Sequence, residues 1–161
     1  MRHTFCPDCG KKLSARPLGD EGLVPWCENC QLPWFDTFST CIIVAVMNAH
    51  EEVLLQRETR RPDREVLVAG YIKPGESAED AARREIKEET GLTATALRYM
   101  GSWPHEGERL MLGFAATAKG DIYLSHSEVL SARWVTLDEA VAALREGSIA
   151  QQVVMGIRDT Q

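Results

Sequence analysis

Apolar and polar residues follow one another along this chain in rhythms that change from segment to segment. Residues 40–47 (TCIIVAVM) are an unbroken β-branched run, the pattern of a buried strand. A turn at Asn48-Ala49-His50 follows, and residues 52–57 (EVLLQR) read as a second strand. Residues 58–65 (ETRRPDRE) read as a polar loop, and residues 66–69 as the strand that leads into a Pro-Gly turn. Further strands are predicted at 99–103, 110–117 and 132–135. A helix is predicted over 137–146, capped by Thr136 with Glu139 three residues on, and a last helical segment starts at Ser148. Strands alternating with two or three helices predict an α/β domain.

The most informative periodicity lies in residues 70–92 (GYIKPGESAEDAARREIKEETGL). Ser77 stands at an N-cap position, and Gly91 is suited to the left-handed residue that ends a helix, so the helix is predicted from Ala78 to Thr90. On a wheel at about 100° per residue with Ala78 at zero, Ala82 falls near ~40°, Ile86 near ~80° and Ala81 near ~300°. That is the core face, yet Glu85 falls near ~340° and Glu89 near ~20° within it, with Glu88 bordering it near ~280°. The three acids also crowd the last turns, where the helix dipole favours cations. Lys87, near ~180°, points away and offers little compensation. A solvated Glu-rich helix with an Arg84–Glu88 pair is the plain alternative, and the wheel argues against it. A divalent cation bound by carboxylate oxygens resolves both conflicts, and magnesium or manganese takes such ligands.

Composition narrows the picture. Apolar residues at 44% and charged residues at 26% are ordinary for a soluble globular protein. The longest apolar run, 41–47, is far short of a membrane span, and the N-terminus lacks a hydrophobic signal region, so a cytoplasmic protein is expected. A net charge of −6 argues against nucleic acid and anionic membranes as partners. An anionic substrate would then need metal to offset the repulsion.

Four of the five cysteines form two pairs, Cys6-x-x-Cys9 and Cys27-x-x-Cys30, with 17 residues (10–26) between them. This is zinc-site spacing, and four thiolates leave no open coordination position, which predicts a structural zinc. An odd fifth cysteine, Cys41, reads as a core residue and argues against a disulfide framework. Residues 1–40 hold four basic and five acidic residues, no footprint for nucleic acid. The chain is thus divided at the sequence level into a zinc ribbon, 1–38, in which Trp26 and Trp34 help pack, and a larger domain, 39–161.

Residues 70–92 resemble the Nudix box, with Gly70, Glu76, Arg84, Glu85, Ile86, Glu88, Glu89, Gly91 and Leu92 matching every specified position. The resemblance implies a Nudix α/β/α sandwich with a mixed sheet, and a hydrolase of nucleoside diphosphates linked to a second group. It also implies magnesium or manganese held by Glu85, Glu89, the backbone carbonyl of Ala69 and Glu128. Glu88 would be a further ligand or the base for water, Arg84 would orient a carboxylate through an ion pair, and Glu76 would brace the turn that Gly70 and Gly75 allow. With its four-cysteine ribbon, CIIVAV, VAGYIKPGE and EVLSARW (128–134), the chain is most similar to the zinc-containing NADH pyrophosphatase branch, which usually dimerises. It departs from that branch at residues 101–109 (GSWPHEGER), where only a shifted Trp-Pro survives of a longer signature, and it is expected to differ also in having no further domain ahead of the ribbon.

Phe35 matches an aromatic site that stacks on the substrate base in that branch, or else plugs ribbon against body. Trp103 and His105 are candidate nucleotide contacts, against a packing role for each; His3, His50 and His126 carry no signal. Two functions are expected to compete: a pyrophosphatase acting on NAD(H), FAD, ADP-ribose or a diadenosine polyphosphate, and a non-catalytic nucleotide sensor using the same body and ribbon.

Overall fold

The computed structural model describes residues 3–125 and 127–160, so His126 lies outside the described residues. The chain divides into two compact units, Met1–Phe38 and Ser39–Gln161. In the first, β1 (Ser14–Pro17) pairs antiparallel with β2 (Leu23–Cys27), and the short β3 (Leu32–Pro33) pairs with the same strand. Among its described residues the buried apolar side chains are Cys6, Val24, Pro25 and Cys27, a very small core. Trp26 lies beneath the Arg16 guanidinium at 4.5 Å, and Trp34 meets His3 edge-on at 6.3 Å.

The second unit is built around β4 (Ser39–Met47). Its residues alternate strictly between two cores, because successive side chains of a strand point to opposite faces. Cys41, Ile43 and Ala45 join one cluster with Ala140, Val153 and Ile157, while Ile42, Val44 and Val46 join the other with Ala81, Ala82 and Ile86. The first cluster is covered by α2 (Leu137–Ala143) and α3 (Ile149–Arg158), the second by α1 (Ala78–Thr90). The result is the expected α/β/α sandwich. Around β4 the sheet is mixed: β9 (Arg109–Lys119) runs parallel to it, and β8 (Thr93–His105) runs antiparallel to β9. On the other side β4 and β5 (Val53–Glu58) meet at Met47↔Val53 and then part. Into the gap comes one continuous stretch, with β6 (Arg61–Val66) pairing to β5 and β7 (Val68–Tyr71) pairing to β4. β10 (Val129–Val135) closes the far edge against β5. This parting of β4 from β5, filled by β7 from one side, is where the site forms.

Three expectations are corrected. The polar stretch 58–65 is not a loop: it completes β5, turns at Thr59 and Arg60, and forms β6. Arg61, Pro62 and Asp63 are all exposed, so no apolar alternation marks this strand, and Pro suits such an edge. β8 is much longer than residues 99–103 for a similar reason, having no fully buried residue along its length. The helix at 137–146 stops at Ala143, because Leu144 adopts extended backbone (φ −75°, ψ 147°) and turns its side chain into the core. The cap by Thr136 with Glu139 is present as predicted. No described helix is long and apolar enough to cross a membrane.

Candidate active site

Helix α1 starts where Ser77 Oγ accepts the Asp80 N–H at 3.1 Å, and ends at Gly91, left-handed at φ 75°. Between these caps the apolar stripe of Ala81, Ala82 and Ile86 fixes the helix rotation, and that rotation carries two acids inward. Glu85 is 9% exposed and Glu89 7% exposed. The neighbouring strand makes room for the first of them. A Cβ on Gly70 would lie 2.0 Å from Glu85 Oε1, so only glycine lets that carboxylate lie against β7.

Arg84 holds the acidic group together. Its Nε and Nη2 donate to the two oxygens of Glu76 at 2.7 and 2.9 Å, a bidentate pair. Its Nη1 donates to Glu85 Oε1 at 2.7 Å and Glu88 Oε2 at 2.9 Å, and Nη2 also reaches the Tyr71 carbonyl at 3.0 Å. All five guanidinium N–H groups are therefore engaged. The expectation that this helix compensates its acids little is corrected: Lys87 does turn away, to cap the Gly91 carbonyl at 2.7 Å, but Arg84 neutralises Glu85 and Glu88 from within the helix. Glu89 is left with a neutral partner, the Nε2 amide of Gln56.

The pKa shifts follow these partners. Arg84, helped by the Lys73 backbone N–H, holds Glu76 down at about 2. Burial pushes Glu85 up, against the pull of Arg84. Burial pushes Glu89 up to about 8, the Gln56 amide opposing and the charges of Glu85, Glu128 and Glu58 adding to the rise.

These groups line a cleft of about 590 Å³. Glu85, Glu88, Glu89, Ala69, Glu128 and His105 all face it. The peptide at Glu128 is fixed by Thr59, whose N–H donates to the Glu128 carbonyl at 2.9 Å while Oγ1 donates to the Ser127 carbonyl at 3.1 Å. Trp103 is not among the cleft-lining residues. Its ring lies over Gly113, and its Nε1 donates to Gln152 Oε1 at 2.8 Å on α3, so a nucleotide contact is replaced by a packing role. Phe35 belongs to the N-terminal unit, where its ring is exposed.

Other cleft residues went unread in the sequence. Tyr71 presents an exposed ring, and Arg60, Arg61, Lys73 and Arg109 bring cations to the same cleft. Tyr71 directly follows Gly70, so its place at the site was available from the motif. Gln56 was available too, two residues after Leu54 and hence on the α1 side of β5.

Carboxylate and carbonyl oxygens are the donor type a hard divalent cation takes, although among the described residues the cleft acids do not draw together as tightly as the ribbon thiols. The ribbon offers a different donor set. Sγ atoms of Cys6, Cys9, Cys27 and Cys30 all lie within 4.8 Å of one another, suited to zinc. The Lys11 backbone N–H lowers the Cys9 thiol, and hydrogen bonding to Cys9 raises Cys30, as expected of thiols crowded round one point.

Residues 37–155 match the family profile of the NUDIX domain. The NAD-capped RNA hydrolase NudC of Vibrio vulnificus is 32% identical over 152 residues, 93% of this chain and 57% of that protein. The NAD-capped RNA hydrolase NudC of Stutzerimonas stutzeri is 35% identical over 157 residues, 95% of this chain and 55% of that protein. The chain thus spans little more than half the length of these curated relatives. Among solved structures, a NUDIX hydrolase from Nitrosomonas europaea superposes with a TM-score of 0.77 at 19% identity, covering 98% of this chain and 92% of that one. A C. elegans Ap4A hydrolase in a binary complex gives 0.63 at 20% identity, covering 74% and 96%. At such identities these two likenesses speak for the fold.

Proposed function

The chain belongs to the Nudix family, and from that premise we propose that it is a magnesium- or manganese-dependent hydrolase of the pyrophosphate bond in a dinucleotide, with nicotinamide dinucleotides foremost. The observation that carries this reading is the pair of nearly buried acids, Glu85 and Glu89, on the cleft side of α1, the second of them held only by a neutral amide. Glu85, Glu89, Glu128 and the Ala69 carbonyl would hold the cation. When bound, a dication supplies charge neutralisation on the phosphates and a water acidified for attack.

The chain's own residues do the rest. Arg84 opposes the upward push of burial on Glu85 and aims its carboxyl, and Glu76 anchors Arg84 against the turn before α1. Glu88, half-exposed at the cleft, is placed to take a proton from water or to serve as a further ligand. Tyr71 offers a flat apolar face for a base or nicotinamide ring, with His105 as a polar neighbour in the cleft. Lys73 and Arg109 supply charge for phosphates. Phe35 is proposed, from the resemblance alone, as a ring that stacks on a substrate base, zinc as a structural ion on the four ribbon cysteines, a homodimer as the working assembly and the cytoplasm as the compartment.

The nicotinamide preference draws on the relatives, which are named as NAD-capped RNA hydrolases. The test is a panel of NADH, NAD, FAD, ADP-ribose, diadenosine polyphosphates and an NAD-capped oligoribonucleotide, each with magnesium or manganese and read by product release. Cleavage of the nicotinamide substrates at the pyrophosphate is the expected result. Binding of nucleotide with no turnover of any member would return the molecule to the sensor reading.

A further inference from the structure

Gln56 takes no part in the chemistry above, yet it is the side chain that Glu89 touches. It is 2% exposed and sits on β5 opposite Ala132 on one side and Val66 on the other. Two residues earlier Leu54, on the same face of the strand, packs into the core beneath α1. Packing alone would continue that core with another apolar residue. An amide there is expensive, because both its polar atoms leave water. It is also only half repaid: Nε2 donates to Glu89 Oε2, while the buried Oε1 has no partner among the described residues. Nε2 is the end of the amide turned to Glu89, and only that N–H end would suit the carboxylate once a cation holds it ionised.

Glu85 offers an instructive parallel. Arg84 pins one of its oxygens, Oε1, as Gln56 pins one oxygen of Glu89. The two pins differ in charge. A guanidinium cancels much of the carboxylate's attraction for a dication, whereas a neutral amide fixes the rotamer and leaves the full negative charge in place. Partners behind a metal ligand act in this way, orienting it without competing for it.

We propose that Gln56 is a positioning residue for Glu89: it holds Oε2 from behind so that the other carboxylate oxygen is presented, singly and in one rotamer, to the divalent cation. The inference rests on the reading that Glu89 holds the catalytic cation, so the experiment separates the two. Manganese alone is titrated into the full chain and free ion is read by electron paramagnetic resonance, for wild type, Gln56→Met, Gln56→Asn and Glu89→Gln. Melting of each metal-free protein is followed in parallel.

Gln56→Met keeps the length and removes the donor. Its manganese dissociation constant should rise about 10–100-fold, the usual cost of losing such a partner. Its metal-free melting temperature should fall only slightly, because removal of the orphaned Oε1 offsets much of the cost of leaving Glu89 Oε2 without its donor. Turnover lost at low manganese should return as manganese is raised, which a folding defect would not allow. Gln56→Asn, one methylene short of Glu89, should fall on the same side. Unchanged manganese affinity in folded Gln56 variants, or affinity and stability falling in step, would overturn the role, as would failure of both variants to fold. If Glu89→Gln also left affinity intact, the cation assignment itself would fall, not merely the part played by Gln56.

Discussion

In the N-terminal unit the candidate metal ligands come from two short turns with almost nothing else to hold them, whereas in the C-terminal unit they come from a helix, a strand and a loop already fixed by two cores. The ribbon buries Val24, Pro25 and two of its own cysteines. Its four thiols converge within 4.8 Å and, once joined by zinc, have no position left to offer. The cleft is arranged the other way. Arg84 and Gln56 each occupy one oxygen of a glutamate, and the remaining donors face open space of about 590 Å³. Convergent ligands hold a fold together; ligands braced from behind and left partly free are available for chemistry. Losing metal should therefore undo structure in one unit and function in the other.

The largest effect to look for is in the ribbon. Chelation of zinc, or Cys27→Ser, should raise amide exchange across Ser14–Pro17 and Leu23–Cys27 to unfolded levels while β4 and α1 keep their protection. The binding energy tied to folding in such sites is on the order of 10 kcal/mol. Ribbon protection surviving chelation would erase the contrast. In the cleft, Glu89→Gln should cut turnover by more than the ~100-fold upper range for loss of a partner behind a ligand, with no loss of metal-free stability.

The same substitution sharpens the comparison through pH. Burial raises the folded-state pKa of Glu89 to about 8, so between the ordinary carboxylate range and that value the metal-free folded protein binds more protons than the unfolded chain. Its stability should fall as pH rises through that window. Glu85, shifted in the same direction, adds to the slope. Glu89→Gln should flatten most of it in melts taken across pH; an unaltered slope would place the proton elsewhere.

Gly70→Ala should have a smaller effect, about tenfold in manganese affinity, by displacing the Glu85 carboxylate that its Cβ would meet at 2.0 Å. Smallest of all, Trp103→Phe should cost about 1 kcal/mol through the lost bond to Gln152 and leave KM unchanged. A changed KM would bring that ring back to the substrate.

What was legible in the chain, and what was not, divides along physical lines. β4 and α1 were readable because burial writes itself into composition: β4 is apolar on both faces, and α1 shows its acids out of place on a wheel. β6 and most of β8 were not, because a strand that buries little has no pattern to display. The placement of Arg84 was only half readable. Its spacing suggested a pair with Glu88, but Glu76 and the Tyr71 carbonyl reach it only once the turn before α1 folds back. Trp103 stayed open between nucleotide contact and packing, because a lone aromatic carries no sign of which face of its strand it will take; Gly113, two places along β9 from its partner Met111, leaves the space its ring fills.

The saturation of Arg84 limits how a substrate can be greeted. A guanidinium with every N–H committed has no hand free for an incoming phosphate, and recruiting it would release Glu76, Glu85 or Glu88 from formation. Lysine could keep the charge but not the five-way grip. Welcome for a polyphosphate therefore falls to Lys73, Arg109 and the Arg60–Arg61 tip of the β5–β6 hairpin, residues outside the helix that can be exchanged for a different guest without disturbing the machinery beneath.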